Sequence, residues 1–167
     1  MSNVKLPKRK YSSKALKRYL NLFPPLLINR IRIAEADTEF KNLRVTVNYS
    51  WLNKNIQKSI FGGSIFSAID PFYAVMYWQI FNSKDIPMTI WIKKAEIDYI
   101  KTARSNLHMD FKLTENDIEN AISVLKNGEK YEVWHTVKVY DSHDELCAES
   151  RVLVYIKNKY NHPLNNL

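Results

Sequence analysis

One carboxylate stands in the most apolar part of this chain. Asp70 interrupts the run Ile60-Phe61-Gly62-Gly63-Ser64-Ile65-Phe66-Ser67-Ala68-Ile69-Asp70-Pro71-Phe72, which continues apolar to Phe81 with Gln79 as the only later polar residue. Burying a carboxylate is costly unless it is hydrogen-bonded or protonated, so its position needs a reason. Upstream lie Gly62 and Gly63, two of the three glycines in the chain. Paired glycines suit a backbone that needs positive φ or close approach by another group. Backbone amides at a helix start can stabilise a developing negative charge, and a carboxylate further along can act as base or nucleophile, so the two together could bracket one reacting carbonyl. A plainer reading stands beside this one. Asp followed by Pro is also an N-cap and first helical position, and Asp70 would then start, or restart after a kink, the helix that runs to Phe81. The two readings are compatible, because a carboxylate fixed by a helix end is well positioned.

Other chemistries find no anchor. His108, His135, His143 and His162 fall in separate elements without metal-ligand spacing, and no H-x-x-H or C-x-x-C is present. Cys147, the single cysteine, reads as a small buried residue. No G-x-S-x-G elbow, G-x-G-x-x-G or Walker sequence occurs.

The elements that must hold Asp70 and the glycines follow from periodicity. A helix with no polar face is a buried helix, so the stretch from Gly62 to Phe81 must be wrapped by the rest of the chain. A membrane span is disfavoured by its central Asp and Pro, by Gln79 and by the half-polar strands that follow. Ala15, Leu16, Tyr19, Leu20 and Phe23 predict a short docked helix over Ser13–Leu22, ended by Pro24-Pro25. Strands are expected at Ile28–Ala36, Asn42–Tyr49, Pro87–Arg104, Asn106–Leu113, Tyr131–Tyr140 and Cys147–Lys157, the last two joined as a hairpin across residues 141–145. Thr114 with Asp117 forms a capping box, Ile118, Ala121, Ile122 and Leu125 have helical spacing, and Asn127-Gly128 is a stop, so a second, surface helix lies here. The whole predicts an α+β fold, a curled antiparallel sheet of about six strands round one long buried helix. Residues 1–25 are expected as a basic arm with a short helix, 26–158 as one domain and 159–167 as a flexible tail.

The chain has 167 residues, 46% of them hydrophobic, and carries a net charge of +8. That length accommodates one full core, and the charge favours an anionic partner. One cysteine and no leader-like segment point to a reducing cytoplasm.

Phe61-Gly62-Gly63-Ser64 followed by Asp70-Pro71-Phe72 resembles the hotdog-fold thioesterases, in particular the branch of uncharacterised bacterial proteins termed DUF4442-like, related to the phenylacetyl-CoA thioesterases. The resemblance runs from about Leu26 to Lys157, with weaker echoes in Trp91–Lys94 and Tyr99–Arg104. It implies a homodimer or tetramer with the active site at the subunit interface, acyl-CoA or a related acyl thioester as substrate, and neither cofactor nor metal. The Gly62 and Gly63 amides would polarise the thioester carbonyl and Asp70 would serve as general base or nucleophile. Ile60, where many relatives carry histidine, together with Phe61 and Ser64, would contact substrate, and Lys101 and Arg104 would meet the CoA phosphates. Two rivals remain: a hotdog protein that binds acyl thioesters without hydrolysing them, and a basic protein whose arm binds nucleic acid or a lipid surface, of which nucleic acid is the less favoured partner.

Overall fold

A computed structural model describes residues 10–86 and 88–158; the first nine residues of the basic arm and the tail 159–167 lie outside them. The element order is α1 (Ser13–Leu22), α2 (Pro24–Ile28), β1 (Ile31–Ala36), β2 (Asn42–Val47), α3 (Gly62–Ile69), α4 (Phe72–Ser83), β3 (Met88–Tyr99), β4 (Leu107–Lys112), α5 (Glu115–Lys126), β5 (Lys130–Tyr140) and β6 (Leu146–Asn158). The six strands form one antiparallel sheet in the order β1-β2-β4-β5-β6-β3. Both β1 and β3 are therefore edge strands. The expected α+β architecture, with a six-stranded antiparallel sheet covering a buried helical segment, is what the chain adopts.

Alternation explains the sheet. In β2, Leu43, Val45 and Val47 are buried while Asn42 and Arg44 are exposed, and β4 repeats this with Leu107, Met109 and Phe111. Arg44 on β2 donates from Nε and Nη2 to the two carboxylate oxygens of Asp110 on β4, each at 2.8 Å, across the solvent face. The central layer is α4. Phe72, Met76 and Tyr77 are fully buried, and the rings of Phe72 and Tyr73 pack on Phe111 with centroids 5.2 and 5.3 Å away. Those aromatic side chains fill the core rather than line an open pocket.

Three expectations need correction. The strand predicted over Pro87–Arg104 ends at Tyr99, because the Ile100 and Lys101 amides both turn onto the Cys147 carbonyl, so Lys101 and Arg104 lie in the loop beyond it. The strand predicted from Ile28 begins at Ile31, because Pro24 and Pro25 open a short helix whose first N–H groups have no intrahelical acceptor in any case. Arg30, at φ 61°, then turns the chain into β1. The long buried helix is two helices. Pro71 removes an N–H and its ring crowds the carbonyl of residue 67, so α3 ends at Ile69 and α4 starts afresh at Phe72. The capping box of α5 is present as expected, Thr114 Oγ1 accepting from the Asp117 N–H, and Gly128 at φ 78° supplies the left-handed residue beyond its end.

Candidate functional site

The glycine pair is shaped by close approach rather than by positive φ. A Cβ at Gly63 would come within 2.3 Å of the Phe61 ring, and one at Gly62 within 3.2 Å of the Tyr99 ring. Tyr99, at the end of β3, donates its hydroxyl to the Gly62 carbonyl at 2.9 Å. Gly62 and Gly63 open α3, and their N–H groups have no acceptor among the described residues, while the next two amides turn back to the Phe61 carbonyl. Two free donors at the positive end of a helix dipole form a place for negative charge.

Two asparagines in the link 50–59 hold this helix start in place. Asn53 is buried; its Nδ2 donates to the carbonyls of Asn29 and Asn48, and its own carbonyl accepts the Phe61 N–H at 2.7 Å. Asn55 folds the chain back on Ser59 through both its side chain and its backbone. Ile60 donates its N–H to Ala103 at 2.8 Å, so the entry to α3 is gripped from both sides. The sequence shows Ser50–Ser59 only as a polar link. The signal for its role lies in Asn53 and Asn55, whose short amides can close turns on their own backbone.

A cleft of about 280 Å³ opens at this point, lined among others by Ile60, Gly62, Ile65, Tyr99, Lys101 and Thr102. The structure thus gathers Ile60, Gly62 and Lys101. Phe61 is exposed beside them, whereas Ser64 is buried and donates its hydroxyl to Asn29 Oδ1 at 2.7 Å. The Lys101 ammonium pairs with Glu145, and Asp141 lies 3.6 Å from it. Arg104 is exposed and forms no ion pair with a described residue. A larger depression of about 530 Å³ lies over the β1-β2-β4 ladder and contains none of the expected site residues.

Asp70 is the C-cap of α3, one residue past its end at Ile69, and is half-buried. No side chain caps α4, and the carboxylate has no hydrogen-bond or ion-pair partner among the described residues. The capping role therefore falls away. With burial uncompensated by any donor, the Asp70 carboxyl is held above its ordinary pKa. At 1.5 Å per residue, the length of α3 separates it from the Gly62 amide by about 12 Å along the axis. The glycine amides and the carboxylate of one chain accordingly cannot grip the same carbonyl, which corrects the simplest sequence reading.

A second titratable group lies deeper. His135 stacks on Tyr73 with centroids 4.1 Å apart and its Nε2 is 3.2 Å from the Tyr77 hydroxyl. Burial lowers its pKa and raises that of Tyr77. Cys147 is buried and its thiol is pushed up by the same cause. Among the described residues, no group of three or more His, Cys, Asp or Glu side chains is arranged to hold a metal, and no helix is long and apolar enough to cross a membrane.

A curled six-stranded sheet whose concave side holds the α3–α4 segment is the hotdog fold, and solved structures share it at low identity. A Pseudomonas aeruginosa protein of unknown function superposes with a TM-score of 0.79 at 14% identity, over 90% of this chain and 98% of that one. A thioesterase from Haemophilus influenzae gives 0.66 at 11% identity, over 93% and 96%. The PaaI protein of the Escherichia coli phenylacetic acid degradation operon gives 0.60 at 12% identity, over 85% and 90%. No curated protein sequence matches significantly. The chain belongs to the family described as domain of unknown function DUF4442, whose model matches residues 13–156.

Proposed function

We propose that this protein hydrolyses an acyl thioester, with acyl-CoA as the substrate class, in a site shared by two copies of the chain. The observation that carries the reading is the pair of unengaged amides at Gly62 and Gly63, the first of them lining a cleft, with the half-buried Asp70 carboxylate, unpaired among the described residues, at the far end of the same helix. The amides would hold the thioester carbonyl oxygen and stabilise the oxyanion as it forms. Asp70, as base, would take a proton from water as that water attacks the carbonyl carbon, and collapse of the tetrahedral species would expel the thiolate. Asp70 attacking directly, with a mixed anhydride as intermediate, uses the same geometry.

The separation of about 12 Å within one α3 is the reason for two copies, since the carboxylate that meets a given pair of amides must then come from another chain. Among the described residues β3, a 12-residue strand, pairs only with β6, and its open edge offers a means of joining sheets and would end with Tyr99 beside Gly62. Several structural relatives are described as thioesterases, which supports the class of reaction without fixing a substrate. For the CoA phosphates, Arg104 is the available cation, whereas Lys101 would first have to leave Glu145. A reducing cytoplasm is the proposed compartment.

The test is a panel of acyl-CoA thioesters followed by release of free thiol, run on the parent and on Asp70→Asn. The expected result is turnover by the parent and a loss of roughly 10²–10⁴ in rate for the variant. Equal rates would remove Asp70 from the chemistry. Binding of acyl-CoA by the parent without thiol release would favour a non-catalytic carrier, with Ile60 in place of a polar side chain as the first cause to examine.

A further inference from the structure

We propose that the corner formed by α1 and α2 is a docking surface for an anionic phospholipid bilayer. The inward sides of these helices are already used: Leu16, Leu20 and Leu26 are buried in the core. The outward sides carry Tyr19, Leu22, Phe23, Leu27 and Ile28, which are 59%, 71%, 41%, 45% and 61% exposed. A patch of this kind, rimmed by polar groups, marks an interaction surface rather than ordinary scatter.

The patch cannot turn inward to cover itself. Asn21 fixes α1 to β1 through two hydrogen bonds with the Ile33 backbone, and Ser13 and Lys17 add bonds to the carbonyls of Asp37 and Ala34. Tyr19 and Phe23 stack on each other at the surface, with centroids 6.4 Å apart. Tyrosine and phenylalanine beside leucine and isoleucine are the side chains that settle at a membrane interface.

Charge selects the occupant. No Asp or Glu precedes Glu35 in the chain, and Lys14, Arg18, Arg30 and Arg32 surround the patch without an ion pair to any described residue. A second copy docked through the same surface would bring these cations together with no acid to relieve them. Anionic headgroups would instead meet them directly, while the apolar centre enters the acyl region. Between α1 and β1 a groove of about 250 Å³, lined by Leu22, Leu27 and Ile31 with Arg30 and Arg32, pairs an apolar floor with two guanidinium groups, as a phospholipid demands. The surface is also coupled to the candidate site. Asn29, which ends α2, accepts hydrogen bonds from Asn53 and from Ser64 of α3, so a docked corner would hold the cleft at a fixed attitude to the lipid. The docking itself does not depend on the proposed hydrolysis.

The experiment is co-sedimentation of the full chain with phosphatidylcholine vesicles, alone and with roughly 30 mol% phosphatidylglycerol, for the parent, Leu22→Ser/Ile28→Ser and Arg18→Glu/Arg32→Glu. All four positions are exposed, so the fold should survive, as circular dichroism would check. Binding to the anionic vesicles should weaken at least about tenfold in each double variant and should be weak on pure phosphatidylcholine for all. Equal binding by the parent and Leu22→Ser/Ile28→Ser would overturn the proposal and assign any attraction to the basic segment before Lys10. A smaller particle by light scattering for Leu22→Ser/Ile28→Ser would overturn it as well, making the patch an interface between copies.

Discussion

At the scale of single residues, Asp70 and His135 are both displaced by burial, in opposite directions and with different consequences. A carboxyl with a raised folded pKa binds protons more readily in the folded state, so its contribution to stability is present at low pH and is lost as pH rises through that folded value. Asp70→Asn removes the penalty at neutral pH, and with no cap to lose, the melting temperature should stay level or rise while hydrolysis fails. A clear drop in melting temperature would show that the carboxylate stabilises the chain. The same raised pKa predicts that activity falls on the acid side as Asp70 becomes protonated. For His135 the sign reverses. Its folded pKa lies below the ordinary 6.5, so stability is present above that value and is lost as pH falls through the depressed one. Thermal melts of the parent between about pH 7.5 and 5 should show a decline that His135→Gln lacks; parallel curves for the two proteins would exclude His135 as the source.

At the scale of elements, local rules and packing meet in α3, α4 and α5. Pro71 divides the apolar run, and the division leaves Asp70 at a helix end with no hydrogen-bond partner for its carboxylate among the described residues. The helix α5 shows the opposite case, a terminus completed by its own sequence. Thr114 and Asp117 exchange hydrogen bonds reciprocally, and Ile118, Ala121 and Leu125 face the core. Thr114→Ala should cost about 1 kcal/mol, a fall of roughly 2–4 °C in melting temperature for a domain of this size, without altering thioester turnover. Differential scanning calorimetry would measure the first part and the free-thiol assay the second. An unchanged melting temperature would mean that packing alone holds α5.

At the scale of the whole molecule, the geometry of α3 makes a statement about assembly. If each site takes amides from one chain and the carboxylate from another, two separately inactive variants should complement each other. Gly62→Val places a branched side chain against Tyr99 at the mouth of the cleft, and Asp70→Asn removes the base. Co-expressed at equal amounts in a dimer, they should restore about a quarter of the parental sites, because half of the dimers are mixed and each mixed dimer holds one intact site. No recovery, or a monomer by light scattering, would place the whole site in one chain and contradict the shared arrangement.

The sequence by itself determined the six strands, α1 and α5 and their order, because short-range rules write them, while the short helix α2 was not legible. Alternation gives β2, β4 and β5, helical spacing gives α1 and α5, and Asp70-Pro71 marks the position at which the buried run breaks. Its Phe-Gly-Gly-Ser and Asp-Pro-Phe segments also pointed to the family. What only the tertiary structure decided is how the site is held. Tyr99 meets Gly62, Asn53 meets Asn29, Ser64 meets Asn29, and Lys101 meets Glu145 over separations of 37, 24, 35 and 44 residues. No local pattern encodes such pairs, since each depends on the bend of the sheet and the exit direction of two loops. The same holds for Asp70: whether a carboxylate caps a helix or stands unpaired is set by which donors the folded chain brings within reach, and among the described residues none bonds to it.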